Sequence, residues 1–85
     1  MEYIAIVFRS RSDTVRLAEF LRKNGVRAEI INTPKEAGAG CGLSVKVSVS
    51  GLLPAKRAIR ALGLSAPVGF FLVKMLYGRR TVRSI

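Results

Sequence analysis

Apolar positions along this chain switch between two spacings, one suited to strands and one suited to helices. Glu2 to Phe8 reads Glu-Tyr-Ile-Ala-Ile-Val-Phe, a nearly continuous apolar run. It predicts a central strand covered on at least one face. Ser10 with Asp13 three residues later predicts a helix N-cap and its acidic first turn. Leu17, Ala18 and Leu21 then share one helical face, while Arg16, Glu19, Arg22 and Lys23 mostly turn away. Asn24-Gly25 ends that helix, since glycine adopts the left-handed C′ conformation cheaply. Arg27 to Asn32 reads as a second strand closed by Thr33-Pro34. From Lys35 to Gly42 the glycines at 38, 40 and 42 and the lack of any apolar period predict a loop.

Leu43 to Val49 alternates strictly, with Leu43, Val45, Val47 and Val49 expected inward and Ser44, Lys46 and Ser48 outward. Ser50-Gly51 breaks this third strand. Pro54 fits only the first turn of a second helix, in which Ala55, Ala58, Ile59 and Leu62 form the buried stripe and Gly63 the stop. Val68 to Leu76 supplies a fourth strand, and residues 78–85 read as a frayed basic tail beyond a single domain of residues 1–77. The order βαββαβ predicts an α+β fold. The expected form is a ferredoxin-like two-layer sandwich, with a four-stranded antiparallel-type sheet and two helices on one face. Right-handed crossovers are expected to set the first and third strands side by side and parallel. The Cys41 loop and the arginine tail would then share the end of the sheet where the first strand begins.

Charge and composition narrow the partners. Fifteen Lys and Arg against five acids give a formal net charge of +10 over 85 residues, which favours anionic partners such as nucleic acid or an acidic protein surface. A solvated, self-repelling surface explains the same excess. One cysteine and no histidine exclude an internal disulfide and leave no structural metal set, so a reducing, cytoplasmic compartment is expected. The longest uncharged stretch, residues 61–73, is broken by Gly63, Pro67 and Gly69. It falls short of the ~20 apolar residues of a membrane span. The sheet face left bare by the helices is an expected surface for a homodimer.

Cys41 is the one strong nucleophile. Gly40 and Gly42 on either side cannot shield it and permit a sharp turn with positive φ. Successive amides in such a turn can cradle an anion, with Lys35, Arg79 and Arg80 as electrostatic support. Against this stands the tendency of free cysteine to fill cores as a small hydrophobe. The loop is not a phosphate cradle of the usual kind: it leads into a strand, and it lacks both the Lys-Ser/Thr ending and the G-x-G-x-x-G spacing. Hydrolysis is poorly supported, with no histidine and no paired acids among Glu2, Asp13, Glu19, Glu29 and Glu36. Ser10, Ser12 and Thr14 read as helix-start residues. RNA stacking on the first and third strands lacks an aromatic platform beyond Tyr3, so a nucleic-acid contact would be electrostatic and salt-sensitive.

Phe8-Arg9-Ser10, Thr33-Pro34-Lys35-Glu36 and Gly40-Cys41-Gly42-Leu43 together resemble the selenium/sulfur carrier-like family, over roughly residues 2–74. The resemblance implies that Cys41 carries sulfur or selenium as a persulfide-type adduct, with Thr33, Pro34, Gly40 and Gly42 as loop-shaping positions. Gly38-Ala39 stands where members often show small hydroxyl residues. The expected partners are donor and acceptor proteins of sulfur or selenium transfer. The expected activity is that of a carrier or binding protein more than an enzyme, without a cofactor. A basic nucleic-acid- or protein-interaction module, with Cys41 structural, is the alternative.

Overall fold

The computed structural model describes residues 1–38 and 40–85; the departure noted at Ala39 lies outside them. The described residues form β1 (Glu2–Val7), α1 (Arg11–Lys23), β2 (Glu29–Asn32), β3 (Leu43–Val47), α2 (Leu52–Leu62), β4 (Gly69–Leu76) and β5 (Arg79–Ser84). Short 3₁₀ turns at Lys35–Ala37 and Val49–Gly51 lie before and after β3. The local signals act where expected. The Ser10 hydroxyl accepts from the Asp13 amide at 3.3 Å and caps α1. Gly63, at φ 66°, closes α2 in the left-handed conformation.

The five strands make one antiparallel sheet in the order β2-β3-β1-β4-β5. The strand count expected from sequence was four. Residues 79–84 do not fray: Tyr77 (φ 50°) and Gly78 (φ 75°) form a two-residue hairpin loop, and Arg79 pairs with Leu76. Two consecutive positive φ values match the twist that a tight hairpin requires. The expected direction of β3 is also corrected. It lies beside β1 but antiparallel, with Ile6 opposite Val45. The α1 crossover sets β2 parallel to β1. The chain then turns back, so β3, inserted between those two strands, opposes both. Cys41 therefore sits at the end of β1, not at its start.

Both helices cover one face. Ile4, Ile6 and Phe8 of the first strand region meet Leu17, Ala18 and Leu21 of α1, Ala55, Ala58 and Ile59 of α2, and Val45, Val47 and Leu72 of neighbouring strands. Fully burying a side chain such as Leu17 or Ile6 contributes about 1.5–3 kcal/mol. The opposite face was expected bare, with Ser44 pointing to solvent. Instead Ala5, Val7, Ser44 and Val73 are fully buried there. Residues 33–38 and 40–42 reach this face. Gly40 packs against Val7, Thr33 Oγ1 meets Ser44 Oγ at 2.7 Å, and Glu36 is clasped by Arg80 of β5. Val49, expected inward, is instead half exposed in the second 3₁₀ turn.

Candidate functional site around Cys41

The segment bearing Cys41 is pinned at both ends. The Thr33 amide donates to the Gly42 carbonyl at 2.9 Å, and the Cys41 amide donates to the Phe8 carbonyl at 3.0 Å. Pro34 is buried at the head of the 3₁₀ turn. Gly40 has φ 108°, and a Cβ there would lie 2.5 Å from Val7 Cγ1 and 3.0 Å from the Phe8 carbonyl oxygen. Only glycine fits that close approach without displacement. Gly42 also has a positive φ, 91°, but the space a Cβ would enter is open. Its backbone conformation, rather than crowding, favours glycine.

Cys41 itself is half-buried and free. Its Sγ donates to the Leu43 carbonyl at 3.5 Å and lies 3.7 Å from Thr14 Oγ1. The Thr14 hydroxyl also donates to the Ser10 carbonyl at 3.1 Å. The sulfur thus rests beside the first turn of α1, the end of a helix that carries partial positive charge. A thiol in this position has a hydroxyl beside it whose single proton can leave the Ser10 carbonyl and turn toward a sulfur anion. Cys41 is not among the residues of the helix-side core.

Thr33, Pro34, Gly40 and Gly42 all lie in the segment that holds Cys41. Lys35 opens the 3₁₀ turn and is exposed. Arg80 lies on β5 opposite Met75 of β4 and binds Glu36 through two guanidinium nitrogens, at 2.9 and 3.2 Å. Arg79 begins β5 opposite Leu76. No polar contact joins Cys41 to Lys35, Arg79 or Arg80 among the described residues. Glu36 is held below the usual carboxylate range, first by its own backbone N–H and then by the Arg80 guanidinium. The described residues contain no group of His, Cys, Asp or Glu able to hold a metal ion. No helix among them is long and apolar enough to cross a membrane.

From sequence, Thr14 is expected only as a helix-start residue. A signal was present. Thr14 shares the spacing of Leu17, Ala18 and Leu21, so it is a polar residue on the buried stripe. Buried hydroxyls need partners, and this one has Ser10 and Cys41.

A family model described as "Putative Se/S carrier protein-like" matches residues 3–66, a span that takes in nearly all of β1 together with α1, the Cys41 segment and α2. Searches of curated proteins and of solved structures gave no match. With about three quarters of its length inside that match, the chain belongs to the family described as "Putative Se/S carrier protein-like".

Proposed function

We propose that the protein carries a sulfane sulfur or a selenium atom on Cys41 and passes it to a partner by thiol exchange, on a ferredoxin-like frame extended by β5. In the loading step the Cys41 thiolate attacks the terminal sulfur of a donor persulfide. A new S–S bond forms at Cys41, the donor's S–S bond breaks, and the donor cysteine leaves as a thiolate. Unloading repeats the exchange. An acceptor thiolate takes the outer sulfur and Cys41 leaves as the thiolate. Electrons balance in each step, so no external oxidant or reductant enters. Selenium follows the same path with the selenium atom as the transferred centre. Such exchange depends on thiolate fraction and access.

The observation that carries this reading is the setting of the sulfur. Cys41 is half-buried on a pinned segment, outside the core, with the Thr14 hydroxyl 3.7 Å away. A core-filling cysteine would be sealed among apolar side chains. Gly40 and Gly42, which are both exposed, leave room for a docked partner's active site. A donor protein and an acceptor protein are the partners, in a reducing cytoplasm where a lone thiol persists. The test is native mass spectrometry after incubation with a low-molecular-weight persulfide. One added sulfur per chain, absent in Cys41→Ser, is expected. An unmodified native protein that gains sulfur only after denaturation would overturn the reading.

A further inference from the structure

The five acids all lie at or before Glu36, whereas eight of the fifteen Lys and Arg lie after it. The fold gathers most of that acid-free stretch on one side, as α2, β4 and β5. Alternation along the strands fixes which face each side chain takes. Phe70, Leu72 and Lys74 of β4 face the helix side, and Arg83 pairs with Leu72 on that same face. Arg80 points to the other face and is the arginine that Glu36 occupies.

A depression of about 470 Å³ opens between α2 and the 63–70 segment, lined by Lys56, Arg60 and Phe70 among others. A second, of about 200 Å³, is lined by Leu72, Lys74, Thr81 and Arg83. Because Phe70 and Leu72 are alternate residues on one face of β4, the two depressions follow one another along the strand. The result is a trough with α2 as one wall, β4 and β5 as floor, and cations along its length. Near its head the Lys56 ammonium sits 5.1 Å from the centre of the half-buried Phe70 ring, over the face that a ligand would use.

We propose that this trough binds a single-stranded nucleic acid. Phosphates lie against Lys56, Arg60, Lys74 and Arg83, and one base lies on Phe70 as Lys56 moves from the ring to a phosphate. A positively charged groove combined with an aromatic face is how single strands are bound without sequence readout. Three features favour a polynucleotide over an acidic protein. The residues lining the two depressions include four cations and no acid, with Glu2 opposite Lys74 and Asp13 beside Ser65 only at the rim, whereas protein interfaces rarely carry one uninterrupted sign of charge. The depressions run in line. The aromatic lies inside the charged trough. Arginines that merely protect an edge strand from pairing would need neither the trough nor the ring. This proposal goes beyond the carrier reading and does not depend on Cys41.

The test is fluorescence anisotropy with labelled 12-nucleotide oligo(U) and oligo(dT), run beside a labelled poly-glutamate peptide of equal charge. Binding of the oligonucleotides is expected, weakening roughly 50-fold between 50 and 200 mM salt for four phosphate contacts. Lys74→Gln/Arg83→Gln, which leaves the core untouched, should weaken binding and flatten that salt slope. Phe70→Leu should weaken binding without altering the slope. Arg11→Gln/Arg16→Gln, on α1, should change neither. Equal or tighter binding of the peptide, no binding at 50 mM salt, or an α1 variant as damaging as the β4–β5 variant would each overturn the proposal.

Discussion

At the residue scale, the two glycines beside Cys41 differ in what they can tolerate. Gly40→Ala would drive a methyl into Val7 and the Phe8 carbonyl at a φ of 108°, a combination of strain and overlap that costs about 1–3 kcal/mol. Gly42→Ala has the strained φ but open space, so its cost is smaller, about 1 kcal/mol. Urea unfolding of both variants should show Gly40→Ala as the less stable; the reverse order would place the constraint elsewhere. Thr14→Val keeps the shape and removes the hydroxyl. It should leave a folded protein whose Cys41 reacts more slowly with a thiol reagent at pH 7, because the sulfur anion loses a hydrogen-bond donor. An unchanged rate would confine Thr14 to its bond with Ser10. The importance of the two glycines was legible as a motif. The difference between them was not, because it depends on Val7, which is more than thirty residues distant in sequence.

At the element scale, the 3₁₀ turn Lys35–Ala37 is tied to β5 by Glu36 and Arg80. The carboxyl of Glu36 is lowered from its ordinary value in the folded chain. Its contribution is therefore fully present above the ordinary glutamate range and is lost as pH falls through the lowered folded value. Carbon-detected NMR titration should find the Glu36 carboxyl titrating below a peptide glutamate. Because its own backbone N–H is the larger cause and Arg80 the second, Arg80→Gln should raise the midpoint only part of the way. A complete return to the peptide value would mean that the ion pair alone lowers the carboxyl. The elements that could be read from sequence are those with a strong local signal: the capped α1, the alternating β3, and α2 between Pro54 and Gly63. β5 could not be, since Tyr77-Gly78 lacks the usual Asn-Gly signature and Arg-Arg-Thr-Val-Arg-Ser looks like a solvated tail. The burial of Ser44 was equally hidden, because its cover is a loop of the chain folding back and not a helix with a period of its own.

At the scale of the whole molecule, β5 connects regions that sequence order keeps apart. Its Val82 pairs with the fully buried Val73, and its Arg80 holds the segment that leads to Cys41. Removing residues 79–85 would leave β4 as an edge strand, with an unpaired row of backbone groups and an uncovered apolar neighbour. It would also release the 3₁₀ turn from its clasp. If residues 79–85 were a free tail, the truncated protein would melt like the full chain and its thiol would react at the same rate. Because they form a strand, the truncated protein should melt roughly 10 °C lower, as a loss of about 2 kcal/mol implies for a domain of this size. It should also show a stronger tendency to self-associate. Its Cys41 should label faster, since the segment packed on Val7 is held on fewer sides. The point variant Arg80→Gln separates the two effects. It keeps the strand and removes the clasp, so it should speed labelling while moving the melting temperature little. If only truncation speeds labelling, the Cys41 segment depends on the strand's packing and not on the ion pair.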